Sequence, residues 1–425
     1  MAGRTVRCRL DRRGVARRGA KAGESGFGSP IVVTAGAEEM FANDTALEFK
    51  VIPSGQIFAS VGVSSLAVQE GFLQNDCTFG TLPNCNWSPL GNNSPVDMGV
   101  TLVPLTSAQI AAYEKAFGVD DGPPIQFPLY GTALAIAVAN SAVTKNGQIV
   151  LGDGELCGIF SGQITDWSQV SLTATPGPFQ IVYDSRPGSG ITWLLTQHLA
   201  AVCDSTNSMF TQLPVPVTSD FTKLPVPGGV ANNPEFVGAA GNANIATQIL
   251  GSPSAIGYVG PNYTSILPHS PLTTKALVAY LYNSNDGHVY APNRTNATLA
   301  LANPGSGSSN TSPPSNQQQA ADPTKWVPIV PSPAAGYPIV GWSNWILSTC
   351  YLSISQEVLQ YLGAPTNPGK HLQIAEQQGF APLATVSTDY ATAVVDILLS
   401  NADGYNLQIQ NPVACSGRAR HDDAE

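Results

Sequence analysis

The stretch "FQIVYDSRPGSGITWLLTQHLAAVC" (residues 179–203) joins a strand-like run, a glycine-rich turn and an apolar periodic segment. Its apolar residues recur at helical spacing as far as Val202. The pattern predicts a helix that begins near Ile191 or Thr192. A strand followed directly by a helix is typical of α/β proteins, so this stretch favours that fold class.

The turn in this stretch places Gly188, Ser189 and Gly190 just before the predicted helix. A helix start carries free backbone N–H groups and a partial positive charge, so it is suited to binding an anion. The Ser189 hydroxyl and the Arg186 guanidinium are further donors at this point. A glycine-serine N-cap is also common in ordinary turns, so this pattern alone leaves both interpretations open.

Further strand-like runs alternate with helical segments along the chain. The strand-like runs are "FPLYGTALAIAVAN" (127–140), "SAIGYVG" (254–260) and "YPIVGWSNWILS" (337–348), and a helix is predicted over "TSAQIAAYEKAF" (106–117). A chain of 425 residues exceeds the usual size of one core, so two α/β lobes are expected. The low-complexity segment 303–323 is predicted to be a long exposed loop.

The charged residues make up only 11% of the chain and give a formal net charge of −10. Residues 1–30 hold eight Lys or Arg and two Asp or Glu. We expect these residues to form a disordered basic arm or to reflect a misplaced start codon, and they contain no apolar segment typical of an export signal. The remaining chain is acidic, which argues against a nucleic-acid partner, and no apolar run is long enough to span a membrane.

Seven cysteines and five histidines are scattered along the chain. Their spacing matches no familiar zinc motif, so neither a metal nor a cofactor is expected. Scattered cysteines in a chain with few charges favour disulfide bonds and an oxidising compartment. His198 is predicted to lie on a helix surface, or in the core with its hydrogen bonds satisfied.

Between about Val96 and Cys415 the chain resembles the periplasmic phosphate-binding proteins of ABC importers, and their DING subgroup most closely. The segments that match in order and spacing are "GELCGIFSGQITDWSQV" (154–170), "IVYDSRPGSGITWLLTQHL" (181–199), "AIGYVGPNY" (255–263) and "YPIVGWSNWILSTCY" (337–351). Upstream segments of the family are similar to "VGVSSLAV" (61–68) and "DMGVTLVPLT" (97–106). The resemblance implies a two-lobed type II solute-binding fold with a ligand cleft between the lobes.

The resemblance also implies a set of residues that contact the anion. The positions that keep a suitable residue, or have one next to them, are Ser64, Thr101, Arg186, Ser189, Gly190 and Thr192. Arg186 and Thr192 each lie one position away from the family's arginine and threonine, and the threonine position itself is Ile191.

The family's carboxylate falls on Leu102 in this chain. In the family that carboxylate accepts the proton that phosphate keeps at neutral pH, and it repels fully ionised anions. Leucine accepts no hydrogen bond, so the site is expected to lose the usual preference for phosphate over sulfate. The family's N-terminal phosphate loop is also not matched by "GSPIVVTAG" (28–36).

Disulfide pairs and lobe boundaries follow from the same resemblance. The pairs that it implies are Cys157 with Cys203 and Cys350 with Cys415, and Cys77 is expected to pair with Cys85. Lobe one is expected to combine residues 31–129 with 336–425, and lobe two to comprise 130–335, with crossing strands near 127–131 and 337–341.

The function that the resemblance implies is that of a periplasmic or secreted, non-enzymatic protein that holds a small inorganic oxyanion such as phosphate. A monomer with an ABC permease as its partner is expected. One alternative is a secreted DING-like phosphatase, although Ser189 has no evident base among the motifs. The other alternative is a degenerate, ligand-free surface protein.

Overall fold

The computed structural model describes residues 9–10, 16–17, 31–35, 58–62, 64–75, 96, 98–140, 149–170, 175–263, 277–351, 363, 366, 376 and 379–420. The strands within these ranges are β1 (Arg9–Leu10), β2 (Ala16–Arg17), β3 (Ile31–Ala35), β4 (Phe58–Gly62), β5 (Met98–Thr101), β6 (Pro124–Ala133), β7 (Ala135–Asn140), β8 (Val150–Leu151), β9 (Gln180–Asp184), β10 (Phe236–Ala239), β11 (Ser254–Val259), β12 (Leu277–Val278), β13 (Tyr280–Asn283), β14 (His288–Tyr290), β15 (Val340–Ser348) and β16 (Ala381–Pro382).

Most α-helices of the described ranges follow a residue whose side chain caps the first turn. The α-helices within these ranges are α1 (Ser65–Gln74), α2 (Ser107–Ala116), α3 (Asp153–Phe160), α4 (Gly190–Val202), α5 (Gly241–Gly251), α6 (Arg294–Ala302), α7 (Gln317–Ala320), α8 (Leu383–Val386) and α9 (Thr388–Ala393). Thr106 and Gln109 form a capping box at the start of α2, which explains why this helix begins where the sequence pattern predicts it.

The strands form two large mixed sheets. The first has the order β16-β6-β15-β5-β3-β4, with β3 parallel to β4 and β5 and the other pairs antiparallel. The second has the order β10-β9-β11-β7-β12, with β9 parallel to β10 and β11, and β7 antiparallel to β11 and β12. A small sheet, β14-β13-β8, accompanies the second. The predicted α/β class and the strand-like runs are therefore confirmed.

The chain passes from the first sheet to the second at Leu134, which separates β6 from β7. The Leu134 N–H donates to the carbonyl oxygen of Ile339 over 2.9 Å, so a second segment runs beside it. The Tyr337 hydroxyl donates to the Leu134 carbonyl over 2.9 Å, and Tyr337 is fully buried. Two adjacent segments thus connect the sheets, and α4 packs beside them.

Segments predicted to be irregular contain some regular structure. Within 303–323, the Asn316 side chain caps the short helix α7, and Ala320 is buried. The Asn310 side chain donates to two backbone carbonyls of the following segment, so this loop is packed rather than fully exposed. In the predicted disordered arm, β1 pairs with β2 antiparallel, and the other residues of 1–30 lie outside the described part.

Within the described ranges, two disulfide bonds link distant segments. Cys157 on α3 is bonded to Cys203 at the end of α4, and Cys350 is bonded to Cys415. The pair Cys77–Cys85 lies outside the described residues.

Arg420 fixes the C-terminal segment to the first sheet. Its guanidinium is fully buried, donates to the carbonyls of Val96 and Phe72 and lies 4.0 Å above the Phe72 ring. It also donates to the Tyr113 hydroxyl over 2.8 Å. Burial raises the pKa of Tyr113, although the nearby Arg420 charge opposes that effect, so Tyr113 accepts this bond as a neutral phenol.

Among the helices of the described residues, none is long and apolar enough to cross a membrane.

Candidate functional site

The starts of α1 and α4 meet between the two sheets. The Leu66 N–H, in the first turn of α1, donates to the Gly188 carbonyl over 3.1 Å. The Ser64 hydroxyl caps α1 by accepting from the Ala67 N–H over 3.4 Å. The neighbouring Ser65 hydroxyl accepts from the Leu102 N–H over 3.3 Å, which ties α1 to the end of β5. The structure therefore brings Ser64 and the 188–190 turn, both predicted anion contacts, to one place.

The turn requires glycine at two positions. Gly188 has φ +79°, and a Cβ there would lie 2.1 Å from the Leu66 Cβ. A Cβ on Gly190 would lie 2.4 Å from the Ser65 Oγ and 2.7 Å from the Leu102 Cβ. Only glycine allows the α4 backbone to approach the first sheet this closely.

Ser189 is the N-cap of α4 and is 1% exposed. Its hydroxyl accepts from the Thr192 N–H over 3.3 Å, and its own N–H donates to the Ser219 carbonyl over 2.7 Å. The cap makes the helix begin at Gly190, one residue before the predicted start. The N–H groups of Gly190 and Ile191 donate to no acceptor in the described part of the chain, so they are free donors at the helix start.

Two threonines among the predicted contacts are buried and bonded to protein groups. The Thr101 hydroxyl donates to the Val103 carbonyl over 3.0 Å. The Thr192 hydroxyl lies 2.7 Å from the Tyr258 hydroxyl. Burial, helped by the Asp184 charge, raises the pKa of Tyr258 far above its ordinary value, so its phenol stays neutral. Both threonine hydroxyls therefore stabilise the site through hydrogen bonds to protein groups. Either hydroxyl can contact an anion only by giving up its present hydrogen-bond partner.

Arg186 makes an ion pair with Asp184. Its Nε and Nη2 donate to the two carboxylate oxygens over 3.1 and 2.9 Å, and the Asp184 carboxylate is fully buried. The same carboxylate accepts from the Gly241 N–H at the start of α5 over 3.0 Å. The structure thus places the Arg186 guanidinium against Asp184 and Gly241, where its charge is already balanced.

A small pocket opens beside the start of α4. Its lining residues are Leu102, Thr132, Ala133, Leu134, Ile191, Leu194, Gly260, Pro261, Asn262 and Phe380. The cavity volume is about 10 Å³, which is the size needed to hold one water molecule. Leu102 is 1% exposed and its side chain offers only carbon atoms, so the position that the resemblance assigns to the family's carboxylate is apolar and buried.

His198 is buried and has both ring nitrogens engaged. Nδ1 lies 3.0 Å from the Pro331 carbonyl oxygen, and Nε2 lies 3.2 Å from Asp153 Oδ1. Burial alone would raise the pKa of Asp153, but the hydrogen bonds from His198 and Ser284 and the His198 charge outweigh it, so the pKa lies below its ordinary value. The prediction of a satisfied core histidine is confirmed. Within the described ranges, no group of three or more His, Cys, Asp or Glu side chains is placed to hold a metal ion.

The two sheets, the crossing segments and the facing helix starts define a two-lobed α/β binding-protein fold. A family model described as a PBP superfamily domain matches residues 20–323. This range is more than half of the chain, so the chain belongs to the PBP superfamily.

Several known proteins are similar over most of their length. Alkaline phosphatase L of Pseudomonas aeruginosa is 28% identical over 382 residues, which cover 87% of this chain and 88% of that protein. A phosphate-binding protein from an unknown prokaryotic organism is 28% identical over 393 residues, with 85% and 92% covered. The solved structure of a high-affinity periplasmic phosphate-binding protein (PfluDING) bound with phosphate has 26% identity and a TM-score of 0.72, and the match covers 92% of this chain and 99% of that one.

Sequence reasoning missed three residues at this site. Ser65 and Leu66 were part of a matched segment, but no local signal identifies the partner of a helix start more than a hundred residues away. Asn262 lies in the matched segment 255–263, but nothing in that segment marks its amide as a ligand, and the residue is 5% exposed. An unpaired amide of this kind is visible only in three dimensions.

Proposed function

We propose that the chain is a solute-binding protein that holds a small oxyanion of the phosphate type between its lobes. The observation that carries the proposal is the pair of free N–H donors of Gly190 and Ile191 at the start of α4, where it meets the start of α1. Backbone donors at a helix start favour an anion over a neutral or cationic ligand. The similarity to the PfluDING protein, whose structure holds phosphate, supports the same ligand class.

Lobe closure is the binding mechanism that we propose. Lobe one comprises 31–129 with 336–425, and lobe two comprises 130–335, so that α1 and α4 belong to different lobes. The contact between the Leu66 N–H and the Gly188 carbonyl then joins the lobes in the closed form. An anion enters by taking the place of the Gly188 carbonyl, which gives it the Leu66 N–H as a third donor. Separation of the lobes provides the room that the small closed pocket lacks.

The ligand contacts that we propose include the N–H groups at the α4 start and, after exchange of partners, hydroxyls of the predicted set. The members of that set are Ser64, Thr101, Ser189 and Thr192, with Gly190 supplying its N–H. Arg186 contacts the anion in this proposal only by exchanging its Asp184 partner, because its guanidinium is bonded to that carboxylate. The buried Leu102 supplies no acceptor, so phosphate and sulfate bind with similar affinity.

A matched pair of variants tests this proposal. Leu102→Asp adds a carboxylate that accepts the proton of hydrogen phosphate, and Leu102→Asn changes the polarity without adding charge. By calorimetry we expect Leu102→Asp to weaken sulfate binding about tenfold to a hundredfold relative to phosphate, and Leu102→Asn to keep the two anions comparable. If the unmodified protein gives no heat of binding and no thermal shift with either anion, the ligand-free alternative is supported.

Phosphomonoester hydrolysis is a second candidate, favoured by the similarity to a protein named alkaline phosphatase L. Against it, the Ser189 hydroxyl accepts a helix-capping bond, and its contacts in the described residues include no base. A chromogenic phosphate ester distinguishes the candidates. Turnover that disappears in Ser189→Ala would support the enzyme, whereas binding without turnover supports the solute-binding function.

The compartment and partner are part of the same proposal. The two disulfides fit an oxidising compartment, and the PfluDING protein is a periplasmic protein. We propose a periplasmic or secreted monomer that delivers its anion to an ABC permease. Pull-down of a permease by the anion-loaded protein, but not by the anion-free protein, tests the partner.

A further inference from the structure

Asn262 is a buried polar side chain in the 3-10 turn Pro261–Tyr263 that follows β11, and it is 5% exposed. Among the residues that the structure describes, neither its Oδ1 nor its Nδ2 has a hydrogen-bond partner. An unpaired buried amide costs free energy, so such a group is retained where something else supplies its partner.

Asn262 is one of the residues that line the pocket beside α4. Ile191, whose N–H is one of the two free donors of the helix start, lines the same pocket. Leu102, Leu194 and Phe380 contribute apolar surface to the same pocket. The other polar lining side chain is Thr132, whose hydroxyl donates to the Ala133 carbonyl. Among the described lining residues, Asn262 is therefore the one whose side chain has neither its donor nor its acceptor in use.

We infer that Asn262 binds the oxyanion directly and sets the selectivity of the site; this inference rests on the proposed function. Its Nδ2 donates to an unprotonated oxygen of the anion, and its Oδ1 accepts from a protonated oxygen. An amide offers both a donor and an acceptor, whereas a carboxylate only accepts. The amide therefore admits hydrogen phosphate, which keeps a proton, and sulfate, which has none. The ligand class is a small tetrahedral oxyanion in either protonation state.

The neighbouring backbone holds Asn262 in place without using its amide. The Gly260 N–H donates to the Asn242 side chain over 2.9 Å, which anchors the turn to the start of α5. A Cβ on Gly260 would lie 2.9 Å from Asn262 Oδ1, so the amide packs directly against this backbone. The amide is thus positioned before a ligand arrives, which lowers the entropy cost of binding.

Three variants test the assignment. Asn262→Leu removes both polar atoms at similar volume, Asn262→Asp leaves an acceptor only, and Asn244→Asp makes the same charge change on an exposed residue of α5. We expect Asn262→Leu to weaken phosphate and sulfate about tenfold to a hundredfold in calorimetry without lowering the melting temperature of the anion-free protein. Asn262→Asp should keep phosphate and lose sulfate by a similar factor, and Asn244→Asp should behave as the unmodified protein.

The outcomes separate this assignment from the proposed function. If the unmodified protein binds neither anion, the proposed function fails and the role of Asn262 fails with it. If the unmodified protein binds an anion and Asn262→Leu binds it equally well, only the role of Asn262 is overturned. A lower melting temperature of anion-free Asn262→Leu with unchanged affinity would assign the residue a structural role instead.

Discussion

Replacing Gly190 with alanine adds one methyl group at the contact between the start of α4 and the first sheet. That methyl carbon would lie 2.4 Å from the Ser65 Oγ and 2.7 Å from the Leu102 Cβ, whereas carbon atoms in contact prefer about 3.5 to 4.0 Å. Ser65 and Leu102 both lie on the side of this contact that carries the first sheet. The clash therefore opposes the approach of α4 to the first sheet, but it leaves the N–H of residue 190 in place.

The magnitude follows from the cost of overpacking a tight contact, about 1 to 3 kcal/mol. If the closed form binds the anion, this cost lowers the affinity about 5- to 150-fold. Calorimetry with phosphate measures that change, and small-angle scattering should show a larger radius of gyration for the variant with phosphate present. Alanine has a higher helix propensity than glycine, so the melting temperature of the anion-free variant should not fall through loss of helix.

Gly154→Ala is the matched control, because a Cβ at Gly154 has no neighbour within 4 Å and this residue also lies in the first turn of a helix. The control should bind phosphate like the unmodified protein. Equal phosphate affinity and equal scattering for Gly190→Ala and Gly154→Ala would refute the idea that closure brings Gly190 against the first sheet.

Three further predictions concern stability. Arg420→Met leaves the buried Val96 carbonyl oxygen unpaired at about 1 to 3 kcal/mol, whereas the Phe72 carbonyl still accepts from the Asn75 N–H, so chemical denaturation should show a loss of about 1 to 3 kcal/mol; an unchanged midpoint would contradict the anchoring role. The pKa of Asp153 lies below its ordinary 3.8, because bonds and charge from His198 overcome burial, so its stabilisation is present above that pH and lost below it. Asp153→Asn should therefore reduce the fall of the melting temperature at acid pH. An equal fall in the variant and in the unmodified protein would contradict a stabilising contact between Asp153 and His198. Replacing both Cys157 and Cys203 with alanine opens a loop of 46 residues and should cost about 4 kcal/mol in the chain-entropy model, again by denaturation.

Local patterns were sufficient for the elements that carry the site. The strand-like run of β9, the spacing within α4 and the cap at Ser189 are properties of neighbouring residues, and each predicted the observed element to within about one residue. The helix predicted over 106–117 is also observed, as α2. Helix α7 was missed because Asn316 caps it inside a low-complexity segment, where no apolar period indicates a helix.

The contacts between distant segments were not predictable in the same way. The bond between the Leu66 N–H and the Gly188 carbonyl depends on how the two sheets are placed, not on the pattern of either helix. The ion pair of Arg186 with Asp184 is decided by the geometry of the folded chain. Asn262 has a role in this account only because the folded chain leaves its amide without a partner.

Equilibrium dialysis of the unmodified protein with radiolabelled phosphate, in competition with sulfate, tests the central claim most directly. The account predicts one phosphate bound per chain, displaced by sulfate at concentrations within about tenfold of the phosphate concentration, because the buried Leu102 offers no proton acceptor and the Asn262 amide accommodates either anion. Absence of bound phosphate would contradict the account. Retention of phosphate against about a hundredfold excess of sulfate would contradict it too, because a selective proton acceptor would then be present in the site.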